Sequence, residues 1–284
     1  MGKLQGVLLV SDYDDTLVYT KPAFTEGAEV PRLSPRNREA LQRFAAEGGT
    51  FAVATGRALP SFLAVAEDLP FNAPCIIANG GGIYDVKQRT YLHKAFLPEN
   101  IYGYCHDFLQ AFPAVGLEVY HPDSVIHAMN PNRFIRQHQH MTHTRGTVAE
   151  RIEEIPLPFV KIVFEDEHDT LEQLRQFLLA QPWIGRFEVL FSGWNFLELT
   201  ACGANKGAAV RRLAQLLGIA DEDIYCVGDQ NNDASMLAVS AIPFAPGNCV
   251  ETLRTVPRLQ LLPDCREDAV AALVEVLEKR YDNR

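Results

Sequence analysis

The sequence predicts an α/β protein: an open, doubly wound parallel sheet with a second, α+β domain inserted into it. Three observations lead there. Four short apolar runs, GVLLVSD (6–12), TFAVATGR (50–57), PCIIANGGG (74–82) and DIYCVGDQ (223–230), are continuous rather than alternating, as strands buried on both faces are. Helix-period segments separate them, the signature of crossover connections. From about Phe96 to Val189 the pattern changes: GLEVYHPDSVIHAM (116–129) and FVKIVFED (159–166) alternate apolar with polar residues, which reads as half-exposed strands of a different domain.

The elements follow in chain order. The first strand ends in the acidic SDYDD. Ser34-Pro35 supplies an N-cap and a first-turn proline, Leu41, Phe44 and Ala45 an apolar face, and Gly48-Gly49 a stop. HPD at 121–123 predicts a hairpin turn, and Thr170 with Gln173 a capping box. A helix runs from Lys206 through Val210, Leu213, Ala214 and Leu217 to Gly218, and a last one carries Val270, Leu273, Val274 and Leu277. The expected organisation is a discontinuous core, 1–95 and 190–284, around an insertion at 96–189.

Composition narrows the function. The 284 residues carry a formal net charge of −10 and no basic run, which argues against a nucleic-acid surface but not against a small phosphorylated ligand. The six cysteines are scattered without a CxxC pair, and the apolar run at the N-terminus is too short for a signal peptide or a membrane span. The expectation is a soluble cytoplasmic protein with no nucleic-acid or membrane partner. Nothing in the sequence reports the oligomeric state.

If the apolar runs are parallel strands, their carboxyl ends deliver one set of groups to one crevice. The first brings Asp12 and Asp14, and the second Thr55, Gly56 and Arg57. The third brings Asn79 and Gly80, and the late strand Asp229 and Asp233. Lys206 opens the helix before that late strand. Converging carboxylates cannot all stay ionised without cations. Lys206 supplies one charge, and oxygen ligands with room for water or phosphate suit Mg2+ better than Ca2+. No His/Cys spacing offers zinc an alternative. A carboxylate nucleophile, a carboxylic acid to protonate a leaving oxygen, and cations to hold equatorial charge are the parts of phosphoryl transfer. Asp12 and Asp14 alternate along an extended chain and so share a side.

At these residues the sequence resembles the haloacid dehalogenase-like (HAD) phosphohydrolases. SDYDDTL, VATGR, ANKG and VGDQNND are similar to the family's four motifs, in order. The resemblance implies a Rossmann-like core with an inserted cap. Asp12 would be the nucleophile, Asp14 the acid/base, Thr55 a phosphate ligand and Lys206 the lysine of the third motif. Metal ligation falls to Asp12, Asp14, Asp229 and Asp233. Substrate contact falls to Thr55, Gly56, Arg57, Asn79, Lys206 and Asn232, although Arg57 could instead pair with a carboxylate. The length and alternation of the insertion resemble a class IIB cap, while NGGGIYD (79–85) and SGWNFLELTACGANKG (192–207) resemble the Cof-type subgroup. One departure stands out: Asp15 occupies a position where the family usually has glycine, and aspartate tolerates the left-handed turn required there.

The implied activity is Mg2+-dependent hydrolysis of a small phosphate ester through an aspartyl phosphate, with a phosphorylated hexose as the default substrate. A sugar phosphomutase and a non-catalytic sugar-phosphate sensor are the rivals. Elsewhere, RQHQHMTHT (136–144) reads as a solvated helix or loop rather than a metal site, because its histidines do not share a helical face. Glu198 could either reach substrate hydroxyls or sit on a half-exposed strand. Trp183 and Trp194 read as packing residues.

Overall fold

The computed structural model describes residues 2–122, 125–142 and 144–282. The first half of the core comprises β1 (Leu8–Ser11), α1 (Lys21–Glu26), α2 (Pro35–Ala46), β2 (Thr50–Val53), α3 (Leu59–Ala66), β3 (Cys75–Ile77), β4 (Gly82–Asp85) and β5 (Thr90–Lys94). The inserted part follows as α4 (Ile101–Ala111), β6 (Gly116–Tyr120), β7 (Ile126–Met129), α5 (Arg133–Thr142), β8 (Thr147–Val148), β9 (Lys161–Glu165), α6 (His168–Leu179), β10 (Phe187–Gly193) and β11 (Phe196–Ala201). The chain closes with α7 (Lys206–Leu217), β12 (Ile224–Val227), α8 (Ala234–Val239), β13 (Ile242–Ala245), β14 (Gln260–Leu261) and α9 (Ala269–Arg280).

Among the described residues the strands form three sheets. The core sheet is parallel, in the order β14-β13-β12-β1-β2, and a bridge from Ala54 to Ile76 brings β3 alongside β2. β1 lies between β12 and β2 with Val10 opposite both Cys226 and Ala52, so strand order reverses at β1. The crevice of such a sheet opens beyond the carboxyl end of that strand. As its cap chemistry predicts, α2 starts at Ser34, whose hydroxyl accepts the Asn37 N–H at 3.1 Å. The α2 and α9 helices cover one face of the sheet with Leu41, Phe44, Leu273 and Leu277, while α7 and α8 cover the other with Val210, Leu213 and Leu237.

The second sheet runs β10-β11-β9-β6-β7-β8. One of its faces buries Leu117, Ile162, Phe164 and Leu199 against α4 and α6. The opposite face carries Glu118, Tyr120, Lys161, Glu165 and Glu198, every one of them also buried. The alternation of GLEVY and KIVFE therefore marks two faces correctly, but the expected solvent exposure is wrong, because protein covers the polar face. The β6–β7 hairpin forms as expected, with Asp123 of its turn outside the described residues. The capping box does not form: α6 begins two residues before Thr170, at His168, with Glu167 at the N-cap and no side-chain cap bond.

The expected boundary at 189/190 cuts through β10, which pairs with β11 and through it with β9. Both strands belong to the inserted sheet, and we propose 201/202 as the return to the core. Among the described residues no helix is long and apolar enough to cross a membrane.

The first turn of α7 sits so close to α8 that a Cβ on Gly207 would lie 2.2 Å from the Ser235 carbonyl oxygen. Gly207→Ala must push the two helices apart. It should cost about 1–3 kcal/mol, seen as a lower urea midpoint at unchanged m-value.

Candidate active site

The carboxyl end of β1 and the N-terminus of α7 meet around one buried ammonium group. Lys206 Nζ donates to Asp12 Oδ1 and to Asp233 Oδ1, both at 2.6 Å, and none of the lysine side chain reaches solvent. Burial opposes the charged form of Lys206, but Asp12 and Asp233 outweigh it and raise its pKa. Asp233 is fully engaged, since its Oδ2 accepts the backbone N–H groups of Asp229 and Gln230 at 2.9 Å. Asp229 Oδ1 accepts the Thr16 hydroxyl at 2.8 Å. Asp12 and Asp229 thus each keep one oxygen with no partner among the described residues.

Asp12, Asp229 and Asp233 bring ligand oxygens within 4.8 Å of one another. Three carboxylates against one ammonium leave two negative charges uncompensated in a buried site. The strain shows in the titration: burial, with help from Asp233 and Asp14, pushes Asp12 up to about 8 despite Lys206. Burial and the charges of Asp12 and Asp233 drive Asp229 well above the carboxylate range. This donor set, all hard oxygen with two open positions, fits a divalent cation such as Mg2+. Asp12 and Asp229 are placed to hold one. Of the other two expected ligands, Asp233 lies in the same set of oxygens but also binds Lys206 and two backbone N–H groups, while the Asp14 carboxylate turns to Arg57.

Asp14 forms a two-pronged pair with Arg57, whose Nη2 and Nε donate to its two oxygens at 2.7 and 2.9 Å, and Thr20 Oγ1 adds a third bond at 2.8 Å. Of the two readings of Arg57, the structure takes the pairing one. Asp15 is a turn residue, with φ at +55° and Oδ1 accepting the N–H groups of Thr20 and Lys21, each at 2.8 Å. Its carboxylate does for the DDTLVYT loop what a glycine alone could not.

A cavity of about 740 Å3 lies between this floor and the inserted domain. Asp12, Asp14, Gly56, Arg57, Asp229 and Asn232 line its floor; Tyr120, His138, Lys161, Trp194 and Phe196 form part of its roof. Thr55, Asn79, Lys206 and Asp233 lie beneath the lining, fully buried or nearly so. Direct substrate contact by Asn79 is therefore corrected: its Oδ1 accepts from Asn232 Nδ2 at 3.0 Å, so it braces Asn232 from below. Lys206 acts on Asp12 rather than facing the cavity. Thr55 Oγ1 accepts the Arg57 N–H at 3.1 Å and shapes the loop that presents Gly56.

Two roof residues escaped sequence reasoning. Lys161 Nζ donates at 3.0 Å to Glu198 Oε2 and to the Gly56 carbonyl, fastening the inserted sheet to the floor loop. Glu198 is accordingly a buried ion-pair partner that also lines the cavity, which favours its substrate-facing reading over the half-exposed one. The polar positions in KIVFE and FLELT were the available signal, misread as solvent-facing. His138 is the other: of the three histidines expected in solvent, it lines the cavity and pairs with Glu165 and Glu118. His140 is exposed, and His143 lies outside the described residues. Trp183 packs on Tyr104 and Phe187, whereas Trp194 stacks on His168 at 3.9 Å at the cavity rim.

Comparison with known proteins matches residues 9–273 to the family model for haloacid dehalogenase-like hydrolases. A 5-amino-6-(5-phospho-D-ribitylamino)uracil phosphatase of Bacillus subtilis is 28% identical over 249 residues, covering 78% of this chain and 84% of its own length. An HMP-PP phosphatase of Cronobacter sakazakii is 28% identical over 250 residues, covering 84% and 87%. Among solved structures, a haloacid dehalogenase-like hydrolase from Bacteroides thetaiotaomicron superimposes with a TM-score of 0.77 at 23% identity, over 95% of this chain and 99% of that one. A HAD subclass IIB sugar phosphatase superimposes with a TM-score of 0.78 at 20% identity, over 95% and 98%.

The turn assignment of Asp15 makes a sharp prediction. Asp15→Asn keeps an acceptor and a tolerated left-handed residue, so its thermal midpoint and metal response should match the parent protein. Asp15→Val loses two backbone hydrogen bonds and puts a branched residue at positive φ, and should cost about 2–4 kcal/mol in chemical denaturation.

Proposed function

The chain belongs to the haloacid dehalogenase-like hydrolases, as a Cof-type phosphoric monoester hydrolase with a class IIB cap, and from that premise we propose that it hydrolyses a small phosphorylated metabolite with Mg2+ and an aspartyl phosphate on Asp12. The observation that carries this reading is the pair of open carboxylate oxygens, on Asp12 and Asp229, at the floor of a cavity roofed by the inserted domain.

The divalent ion, when bound, would neutralise the two surplus charges and draw electron density from the phosphoryl group. Lys206 favours the ionised form of Asp12 against its burial, the cation would complete that, and the Lys206 bond to Oδ1 fixes the direction of the second oxygen. Asp12 forms a bond to phosphorus as the bond to the leaving oxygen breaks, and Asp14 gives that oxygen a proton. Asp14 must exchange one of its present partners, Arg57 or Thr20, for the leaving oxygen. As a carboxylate it then takes a proton from water, which attacks phosphorus, releases phosphate and restores Asp12. Gly56 and Asn232 line the space for the phosphoryl oxygens, while Thr55 and Asn79 hold those two in place. The Lys161–Gly56 bond keeps cap and floor together while bulk water is excluded.

A sugar or sugar alcohol next to the phosphate is the leaving group we favour. The cavity volume suits it, the structural neighbour is a sugar phosphatase, and the named substrate of the Bacillus subtilis relative carries its phosphate on a ribityl chain. The six free cysteines, five of them buried, favour a reducing, cytoplasmic setting.

Two measurements test the reading. Asp12→Asn should lower phosphate release by more than about 10⁴-fold while leaving the fold intact, and near-parental activity would sink the mechanism. Chelation should abolish turnover and added Mg2+ should restore it. Turnover that survives chelation would remove the metal from the proposal.

A further inference from the structure

Among the described residues the inserted domain holds a second set of metal-ligand side chains, which the proposed reaction does not use. His138 on α5, Glu118 on β6 and Glu165 on β9 bring one ligand atom each within 4.8 Å of one another. The sheet register makes this possible. Glu165 lies opposite Gly116, so Glu118 stands two residues along on the same face. At the start of α5, Asn132 Oδ1 accepts the N–H groups of Phe134 and Ile135 at 2.9 and 3.1 Å, while its Nδ2 donates to the Glu165 carbonyl at 2.6 Å. Asn132 thereby anchors the helix to β9 and sets His138 over the two carboxylates. Nδ1 lies 2.7 Å from Glu165 Oε1 and 3.2 Å from Glu118 Oε2.

Three observations point to a cation here. Both glutamates are fully buried, so two negative charges face one imidazole away from water. A singly charged ring cannot balance both, and burial pushes Glu165 up to about 7 even beside His138. Next, Glu165 Oε2 is buried with no partner among the described residues, an open acceptor on a carboxylate whose other oxygen already meets His138. Last, the groups that would orient a ligand are in place: Tyr120 Oη at 2.8 Å and Gln139 Nε2 at 2.6 Å donate to the two oxygens of Glu118.

We propose that His138 Nδ1, Glu118 and Glu165 form a structural zinc site inside the inserted domain, separate from the cation site of the floor. Charge selects a divalent ion: beside two carboxylates and a neutral imidazole it leaves the cluster uncharged, where a proton on the ring leaves it negative. Ligand chemistry selects Zn2+, since imidazole suits it, whereas Mg2+ takes oxygen ligands and keeps several waters. Ligands held at about 2.0–2.2 Å around a tetrahedral ion sit about 3.4 Å apart, so the present 2.7 and 3.2 Å separations must widen by up to about 0.7 Å. In the ion-free cluster a proton draws them in: burial opposes charge on the ring, yet Glu165 and Glu118 outweigh it and raise the pKa of His138 to about 10. Zn2+ takes the place of that Nδ1 proton, which leaves to water, and Glu165 Oε2 is a further donor. His138 lines the cavity and neither glutamate does, so the way in passes the ring. An ion there clamps α5 to β6 and β9, and α5 carries Phe134 and Met141 to the cavity and packs against α1 of the core.

The test is Zn2+ binding to the whole chain, and because no ester takes part its outcome is independent of the phosphatase reading. Asp229→Asn removes a ligand of the floor site, and millimolar Mg2+ competes for whatever affinity remains there. Under those conditions equilibrium dialysis should load one zinc per chain, and X-ray absorption at the zinc edge should show one imidazole among oxygen neighbours. Zn2+ should also raise the thermal midpoint of Asp229→Asn. Adding Glu165→Gln should weaken binding at least about a hundredfold and cancel the thermal shift, since even a residue that only orients a ligand is worth about 10–100-fold. That variant keeps the shape of the side chain and removes a surplus buried charge, so its zinc-free midpoint should not fall. His138→Asn, whose amide can still donate to the glutamates, is the second variant and should lose the imidazole signature with the affinity. No zinc retained by Asp229→Asn, retention indifferent to both further substitutions, or an all-oxygen shell around the ion would overturn the proposal.

Discussion

Everything at the floor of the site depends on one ammonium group with no access to water. Lys206 reaches Asp12 and Asp233 at once, and these residues are 194 and 27 positions away along the chain. Removing one member of such a cluster leaves a buried charge uncompensated, which typically costs about 3–5 kcal/mol. The cluster therefore holds together the three chain segments that must meet for any chemistry to occur. It needs β1 and β12 side by side, and it needs the first turn of α7 pressed against α8. The latter is possible only because residue 207 is glycine. Asp233 extends the constraint by gathering the N–H groups of Asp229 and Gln230, which aims the Asp229 carboxylate at Asp12. What the floor leaves unsatisfied is equally specific: two surplus negative charges and two open oxygens.

The roof is built on the opposite electrostatic plan. Its charges come paired, Lys161 with Glu198 and His138 between Glu165 and Glu118, and burial raises the pKa of Glu165 to about 7, which limits the surplus negative charge. They lie on one face of the cap sheet, where register puts Val163 opposite both Glu118 and Glu198. A roof of paired groups contributes directed donors and acceptors without much net field. That matters because a phosphate ester is itself an anion entering a site rich in carboxylates. Capture of the phosphoryl group is then left to the floor and its cation.

The floor was legible in the sequence because parallel strands have a fixed polarity. Once GVLLVSD, TFAVATGR and DIYCVGDQ are read as buried strands, their last residues must project into the same crevice, whatever the helices do. Asp12, Asp229 and Lys206 follow from that alone. Finer assignments needed distances. Nothing in the string says that Arg57 turns to Asp14, that Asn79 sits below Asn232, or that Asp233 spends both oxygens on a lysine and two amides. The cap was half legible. Period-two alternation in GLEVY and KIVFE identified two faces, but alternation cannot distinguish a face covered by water from one covered by protein. That ambiguity left Glu198 open between two readings and hid His138, whose partners lie 20 and 27 residues away on strands that only the folded sheet brings together.

The departure at Asp15 shows how little freedom remains between these two plans. The DDTLVYT loop must reverse at once after β1, or Asp14 could not meet Arg57 and Thr20 while Thr16 reaches Asp229. Glycine would allow the reversal by conformational freedom alone. Aspartate allows it by tolerating positive φ and by binding the N–H groups of Thr20 and Lys21, so it adds two bonds where glycine would add none. The third carboxylate of the acidic cluster therefore belongs to the backbone rather than to the cation. A charge in the loop is compatible with the crowded floor because its oxygen is turned to the start of α1, away from the open oxygens of Asp12 and Asp229. Local turn chemistry and long-range electrostatics are solved by the same side chain, and that is why a position that usually has no side chain can carry a charged one here.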